Sequence, residues 1–180
     1  LDATALGLEL YTRLGFAEEG VVQRVAGLVA AGLPEPGAEV TKVTAADLDA
    51  ITQLDTAAFG VSRRALLASL LDLAPQVSWK IEDNSGVCGF CLGRPGQNFF
   101  RLGPITAADL RRAQQVTLAA LRCLRGRRVV VDIPPGQDAF RAWLEDMGFA
   151  VGGEFVRMVR GQSIGGAPAR YFAIMGGEFG

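Results

Sequence analysis

The chain contains no histidine. That absence excludes Ser–His and Cys–His nucleophile systems and histidine-based zinc catalysis. Any chemistry must come from carboxylates, tyrosine, lysine or backbone groups. Excess charge is lacking too. The 18 Lys and Arg residues nearly balance 19 Asp and Glu, leaving a formal net charge of −1. Nothing general attracts nucleic acid or anionic lipid, and neither is expected as a partner. No apolar run approaches the roughly 20 residues that span a bilayer. No basic-then-apolar leader opens the sequence, so a cytoplasmic location is expected rather than secretion. Leucine at position 1 is expected to mark a piece of a longer protein.

Cysteine is scarce. Cys88, Cys91 and Cys123 cannot make a disulfide framework. Cys88-Gly-Phe-Cys91 has C-x-x-C spacing but lies in an apolar run that reads as a strand, where residues three apart point to opposite faces. A redox motif wants a helix N-terminus instead. Buried structural thiols are the favoured reading, and no metal is expected.

What is present is apolar mass: 49% of the 180 residues are hydrophobic, enough for a sizeable core. Residues 2–14 read as a helix with Leu6, Leu10 and Leu14 at fourfold spacing and Gly15 as the stop. A strand follows at 21–29. The stretch AGLPEPG, 31–37, has two prolines and two glycines and reads as a domain boundary. After it come a strand at 40–43 and a helix capped by Thr44 and Asp47, with Leu48, Ile51, Leu54 and Ala58 inward and Gly60 as the break. Ser62 reads as the cap of a second helix. Strands follow at 77–81, 87–92 and 98–102, the first two joined by an EDNSG turn. Thr106, with Asp109 three residues on, reads as the cap of a long helix whose inner stripe is Leu110, Ala113, Thr117, Leu121 and Leu124. RVVVDIP is a short apolar strand of the parallel-sheet kind. A last helix and strands at 154–159 and 171–175 complete the chain.

Two endings are alike: LYTRLGF at 10–16 and WLEDMGF at 143–149. At a constant separation of 133 positions, Gly15-Phe16-Ala17 matches Gly148-Phe149-Ala150, Gly20 matches Gly153, and Arg24 matches Arg157. Upstream, Leu1-Asp2 resembles Val131-Asp132 if three residues are inserted. Matches that continue through helix end, turn and strand indicate an internal repeat whose first copy is represented by its tail.

These elements resemble the GNAT superfamily of N-acetyltransferases. LYTRLGF is similar to the family's tyrosine-then-Gly-Phe ending. FGVSRRALL, LGRPGQNFFRLGPITAAD, VVVDIPP, GFAVGGEFVRMVRG and FAIMGGEFG together resemble the divergent C-terminal domain of two-domain bacterial acetyltransferases. The resemblance implies a mixed α/β fold, the GNAT acyl-CoA N-acyltransferase fold, with the order β-α-α-β-β-β-α-β-α-β-β after the linker. It implies residues 1–31 as the remnant of a first GNAT-like domain, 32–39 as linker and 40–180 as a complete second one.

The implied reaction moves an acetyl group from acetyl-CoA to an amine of a small molecule or peptide. GNAT enzymes hold the CoA pyrophosphate on a glycine-rich loop before the long helix. Here RLGPITAAD stands there, with Leu102, Gly103, Ile105, Thr106, Ala107 and Ala108 as the implied cofactor contacts. The loop has one glycine, Pro104 cannot donate a hydrogen bond, and the Asp109 charge repels phosphate. A variant CoA loop and an ordinary capped helix both remain open. The implied leaving-group acid is the tyrosine five residues before the Gly-Phe phenylalanine: Tyr11 in the first copy, replaced by Leu144 in the second. Tyr11 equally suits a core aromatic. Asp132, at the end of an apolar strand, fits a base or an ammonium partner, or equally a cap for Gln137-Asp138 or a salt bridge to Arg101. Arg63, Arg64 and Arg94 suit an anionic substrate group, with Arg64 and Arg94 as the candidate binding pair, or else paired surface roles. The segment before the linker carries a strand edge, expected to dock on the second domain or to make a homodimer.

Overall fold

A computed structural model describes residues 1–163 and 165–177. The last three residues of the FAIMGGEFG stretch lie outside the described residues. The elements run β1 (Asp2–Ala3), α1 (Ala5–Arg13), β2 (Ala17–Leu28), β3 (Val40–Lys42), α2 (Leu48–Phe59), α3 (Arg64–Leu73), β4 (Trp79–Asp83) and β5 (Gly86–Pro95). Then follow β6 (Phe100–Ala107), α4 (Leu110–Arg122), β7 (Arg128–Ile133), α5 (Asp138–Asp146), β8 (Ala150–Val159) and β9 (Tyr171–Ala173).

The described strands form one mixed sheet in the order β1-β8-β2-β7-β6-β5-β4-β3, with β9 beside β6. Only β6 and β7 pair in parallel, joined by the crossover through α4; the other pairs are antiparallel. Apolar residues of α2 and α3, namely Leu48, Ile51, Leu67, Leu70 and Leu71, pack with Phe90 and Leu92 of β5. Cys91, between those two, belongs with Ala113, Val116, Ala120 and Leu121 of α4 and Phe140 and Leu144 of α5. The alternation of a strand thus sends neighbours in β5 to two different cores.

Local chemistry sets the boundaries of α2. The Thr44 amide donates to the Asp47 carboxylate at 2.8 Å, ahead of the helix. Gly60, at φ 102°, ends it in a left-handed conformation that suits glycine. The sheet interior departs from several sequence expectations. Residues 2–3 are a strand, not helix, because they pair with Arg157 and Val156 of β8. Leu6 and Leu10 of α1, and Leu14 just after it, do not face a core; they are 96%, 58% and 51% exposed. Arg63, not Ser62, precedes α3 as its cap residue. Cys88 and Cys91 join the same core cluster despite their spacing. The reason is a bulge: Gly89 faces Ile81 and Val87 faces Glu82, so Cys88 is the extra residue that shifts the alternation.

Residues 1–31 contribute β1 and β2 to the sheet. β2 is an interior strand, paired along one edge with β7 and along the other with β8. The expected docking onto the following residues is made by these two pairings.

Candidate functional site

The site lies where β6 and β7 end. They pair in parallel from Phe100–Val129 to Leu102–Val131 and then part. Strands that diverge at their C-terminal ends open a crevice in which α/β proteins hold ligands. In this chain β9 lies in that crevice. Ile105 and Thr106 face β9 residues Ala173 and Tyr171 on one edge and β5 residues Cys91 and Phe90 on the other. The Ile174 amide donates to the Asp132 carbonyl of β7 at 2.9 Å, so the segment bridges both walls. Its residues, Tyr171 to Met175, are all buried.

Glycine makes this approach achievable. Gly103 sits at φ 150°, and a Cβ there would collide with the Ile174 carbonyl oxygen. The chain from Leu102 to Ala107 is buried strand. Thr106 therefore does not cap the long helix, contrary to its spacing from Asp109. Asp109 is the cap, accepting from the Arg112 amide at 2.9 Å. The Ala108 amide donates to Cys88 O at 2.8 Å. Amides of the kind expected to meet a pyrophosphate are thus engaged within the protein, and a carboxylate stands at the helix start. Hydrogen bonding from the Arg112 amide holds the Asp109 carboxyl below its ordinary range. Leu102, Gly103, Ile105, Thr106, Ala107 and Ala108 do not form an open anion cradle here. The residues present do not fit acetyl-CoA in this crevice.

Asp132 is 1% exposed at the end of β7. Its carboxylate accepts from Arg24 Nε at 2.6 Å and Arg24 Nη2 at 3.0 Å, and it pairs with Arg101. The salt bridge to Arg101 was legible in the sequence; Arg24 was not anticipated. A signal was available, since the repeat aligns Asp2 with Asp132 and Arg24 with Arg157. The structure makes the same bidentate pair twice, because Arg157 donates to Asp2 from Nε at 2.8 Å and from Nη2 at 3.0 Å. A carboxylate buried between guanidiniums serves a structural charge pair better than an amine substrate.

Tyr11 lies on α1, half-buried, with its ring edge-on to Phe16 at 5.7 Å. Its counterpart Leu144 is fully buried in the core beneath α5. Arg64 donates to Asp49 at 3.0 and 2.9 Å on an exposed helix face. Arg94 stands in β5 opposite Arg101. Arg64 and Arg94 therefore belong to separate elements.

Arg63, by contrast, is 6% exposed. It donates to Asp55 from Nε at 3.0 Å and Nη2 at 2.7 Å, and from Nη1 to the Tyr171 hydroxyl at 3.2 Å. Its guanidinium also lies over the Phe59 ring at 3.7 Å. This network ties β9 to α2, and neither Asp55 nor Tyr171 was singled out from sequence. Beside it opens a cavity of about 590 Å³, walled by Phe59, Pro135, Met158 and Tyr171, with Glu19 among its lining residues. Among the described residues no group of three or more His, Cys, Asp or Glu could hold a metal ion. Nor is any described helix long and apolar enough to cross a membrane. Burial raises the Cys91 thiol far above its ordinary value, as befits an inert structural thiol.

Comparison with known proteins bears on this geometry. The family model for the acetyltransferase (GNAT) domain matches residues 51–173. A putative acetyltransferase from Pyrococcus horikoshii is 21% identical with a TM-score of 0.80, over 100% of this chain and 59% of that one. A GCN5-related N-acetyltransferase from Sphaerobacter thermophilus is 20% identical with a TM-score of 0.60, over 89% of this chain and 59% of that one. A putative GNAT-family acetyltransferase from Novosphingobium aromaticivorans is 10% identical with a TM-score of 0.59, over 82% of this chain and 69% of that one. These likenesses establish the fold, and this chain spans 59% of the length of the first two structures. No curated protein matches the chain. The family match spans more than half of the residues, and the chain belongs to the GNAT acetyltransferase domain family.

Proposed function

We propose that this chain is the accessory half of a tandem GNAT enzyme that transfers an acetyl group from acetyl-CoA to an amine, and that its own crevice does not hold the acyl donor. One observation carries the reading: β9 lies between β6 and β7, hydrogen-bonded to β7 and paired with β6. The replacement of the expected acid by buried Leu144 points the same way. In this reading catalysis belongs to the other half, to which α1 and its Tyr11 are assigned. There the amine nitrogen attacks the thioester carbonyl and loses its proton to a base. The carbon–sulfur bond breaks, and the departing thiolate takes a proton from the Tyr11 phenol. The cavity near Glu19 is assigned to the acceptor, with the carboxylate facing its ammonium group.

Calorimetric titration of the chain with acetyl-CoA tests the proposal. No saturable binding tighter than about 100 μM, near −5.5 kcal/mol, is expected. Tighter binding would show that β9 yields to the donor and would overturn the accessory role.

A further inference from the structure

The cavity beside Tyr171 carries a charge pattern that a plain amine leaves half used. In β2 the pairing passes from Glu18–Met158 directly to Gly20–Arg157, so Glu19 is an extra residue in its strand. Such a bulge re-aims a side chain, and Glu19 lines the cavity. The bulge sits against the Pro135 wall, since a Cβ on Gly20 would meet that ring at 2.5 Å. Glu19 is exposed and makes no ion pair among the described residues.

Arg157 lines the same cavity from the facing strand. Its Nε and Nη2 are committed to Asp2 at 2.8 and 3.0 Å. Its Nη1 has no hydrogen-bond partner among the described residues and keeps two N–H groups for a further acceptor. Arg63 already divides its guanidinium in this way. Nε and Nη2 hold Asp55, and Nη1 donates to a third oxygen, the Tyr171 hydroxyl. Burial raises the Tyr171 phenol; Arg63 opposes that rise, and so does the charge of Arg157, which sets this guanidinium near Tyr171. A carboxylate and a guanidinium on facing strands thus border one cavity without pairing with each other. The walls between them and Tyr171 include apolar Phe59, Pro135 and Met158. Opposite charges held apart beside apolar walls match a ligand with both signs on one small head and an apolar body.

We infer that the cavity recognises a free α-amino acid with an apolar side chain: its ammonium faces Glu19, its carboxylate takes the Nη1 end of Arg157, and its side chain lies against Phe59 and Met158. A peptide N-terminus and a simple amine each lack that carboxylate. The inference rests on the assignment of this cavity to the acceptor and adds Arg157 as the residue that selects a carboxylate beside the amine. It does not depend on where acetyl-CoA binds.

The test is an NMR titration of the isotopically labelled chain with phenylalanine, phenylalaninamide, phenethylamine and phenylpropionate. Phenylalanine is expected to shift the Gly20, Met158 and Tyr171 amides. It is expected to bind about tenfold or more tighter than each of the others, as for one charge-assisted contact. Glu19→Gln should weaken phenylalanine about tenfold and leave phenylpropionate unchanged. Arg157→Lys keeps a cation beside Asp2 and should erase the preference for phenylalanine over phenylalaninamide. Glu18→Gln, an exposed neighbour outside the cavity lining, is the control and leaves every affinity unchanged. The series on the unmodified chain decides the matter even if Arg157→Lys fails to fold. Phenylalaninamide or phenethylamine matching phenylalanine would overturn the inference and leave a plain amine acceptor standing. Phenylpropionate matching phenylalanine would overturn the acceptor assignment itself. No binding by any of the four, or shifts confined to other residues, would overturn the inference as well.

Discussion

At the scale of single residues, the Asp55–Arg63–Tyr171 network shows how charge is used inside this fold. Asp55 is fully buried, and both its oxygens accept from Arg63. Desolvating two ions costs several kcal/mol each, and only close, doubled hydrogen bonds offset it. Asp55→Ala would strand a buried guanidinium, and a loss of about 3–5 kcal/mol is expected from urea unfolding. Tyr171 gives the network a pH signature. Burial raises its phenol, while the charge of Arg63 works in the opposite direction, and the net shift is upward. A raised value in the folded state favours the protonated phenol. That contribution is fully present below the ordinary phenol value of about 10 and is lost as pH rises through the folded value. Tyr171→Phe should flatten the alkaline fall in melting temperature. A wild-type-like alkaline profile in the variant would assign the fall to other groups.

At the scale of elements, the join between β6 and α4 decides what the crevice can do. Gly103→Ala would push a methyl group into the Ile174 carbonyl. The expected result is faster hydrogen exchange in β9 and a melting temperature several degrees lower, as for about 1–3 kcal/mol of strain. Unchanged exchange in β9 would mean that the segment is held elsewhere. Asp109 makes a separate prediction. Asp109→Ala removes the N-cap of α4 and should cost about 1 kcal/mol at neutral pH. Because the folded carboxyl is held below its ordinary range, that contribution exists above about pH 4 and fades as pH falls through the folded value. The penalty measured by denaturation should therefore shrink in acid.

This same join marks the limit of what the sequence conveyed. Gly103-Pro104 reads as a strand end, and Thr106 with Asp109 reads as a cap, since both follow local rules. Pairing with β9 overrides them: the strand continues to Ala107 because partners some 65 residues away lie against it. Where local signals face no such competitor they held. The Thr44–Asp47 box, the Gly60 stop, the inner stripe of α4 and the hairpin between β4 and β5 all stand as expected. Of the candidate site, Asp132 and its Arg101 partner were legible from charge and burial. Asp55 was not, because an acidic residue in an amphipathic helix gives no sign that an arginine eight positions later will cover it.

At the scale of the whole molecule, the Pro/Gly linker was legible and the placement of the segment before it was not. Residues before a Pro/Gly linker look like a tail, and pairing of β2 with β7 and β8 puts them in the middle of a sheet. Deleting residues 1–31 would not trim an appendage. It would expose the facing edges of β7 and β8 together, and soluble expression of such a truncation is expected to collapse into aggregation. A well-behaved monomer with native melting behaviour would contradict the central placement of β2.

The position of β2 also fixes an order of events as the chain leaves the ribosome. Arg24 and Asp132, which lock β2 to β7, are 108 residues apart in the chain. At about 5–20 residues per second, synthesis leaves β2 without those partners for several seconds or more. Its β-rich sequence must wait in that interval, during which neither the hydrogen bonds of β7 nor those of β8 exist. Such distant pairing slows folding and lengthens exposure of strand edges. A molecular chaperone that holds nascent β2 would therefore influence the yield of this protein more than its final stability would suggest.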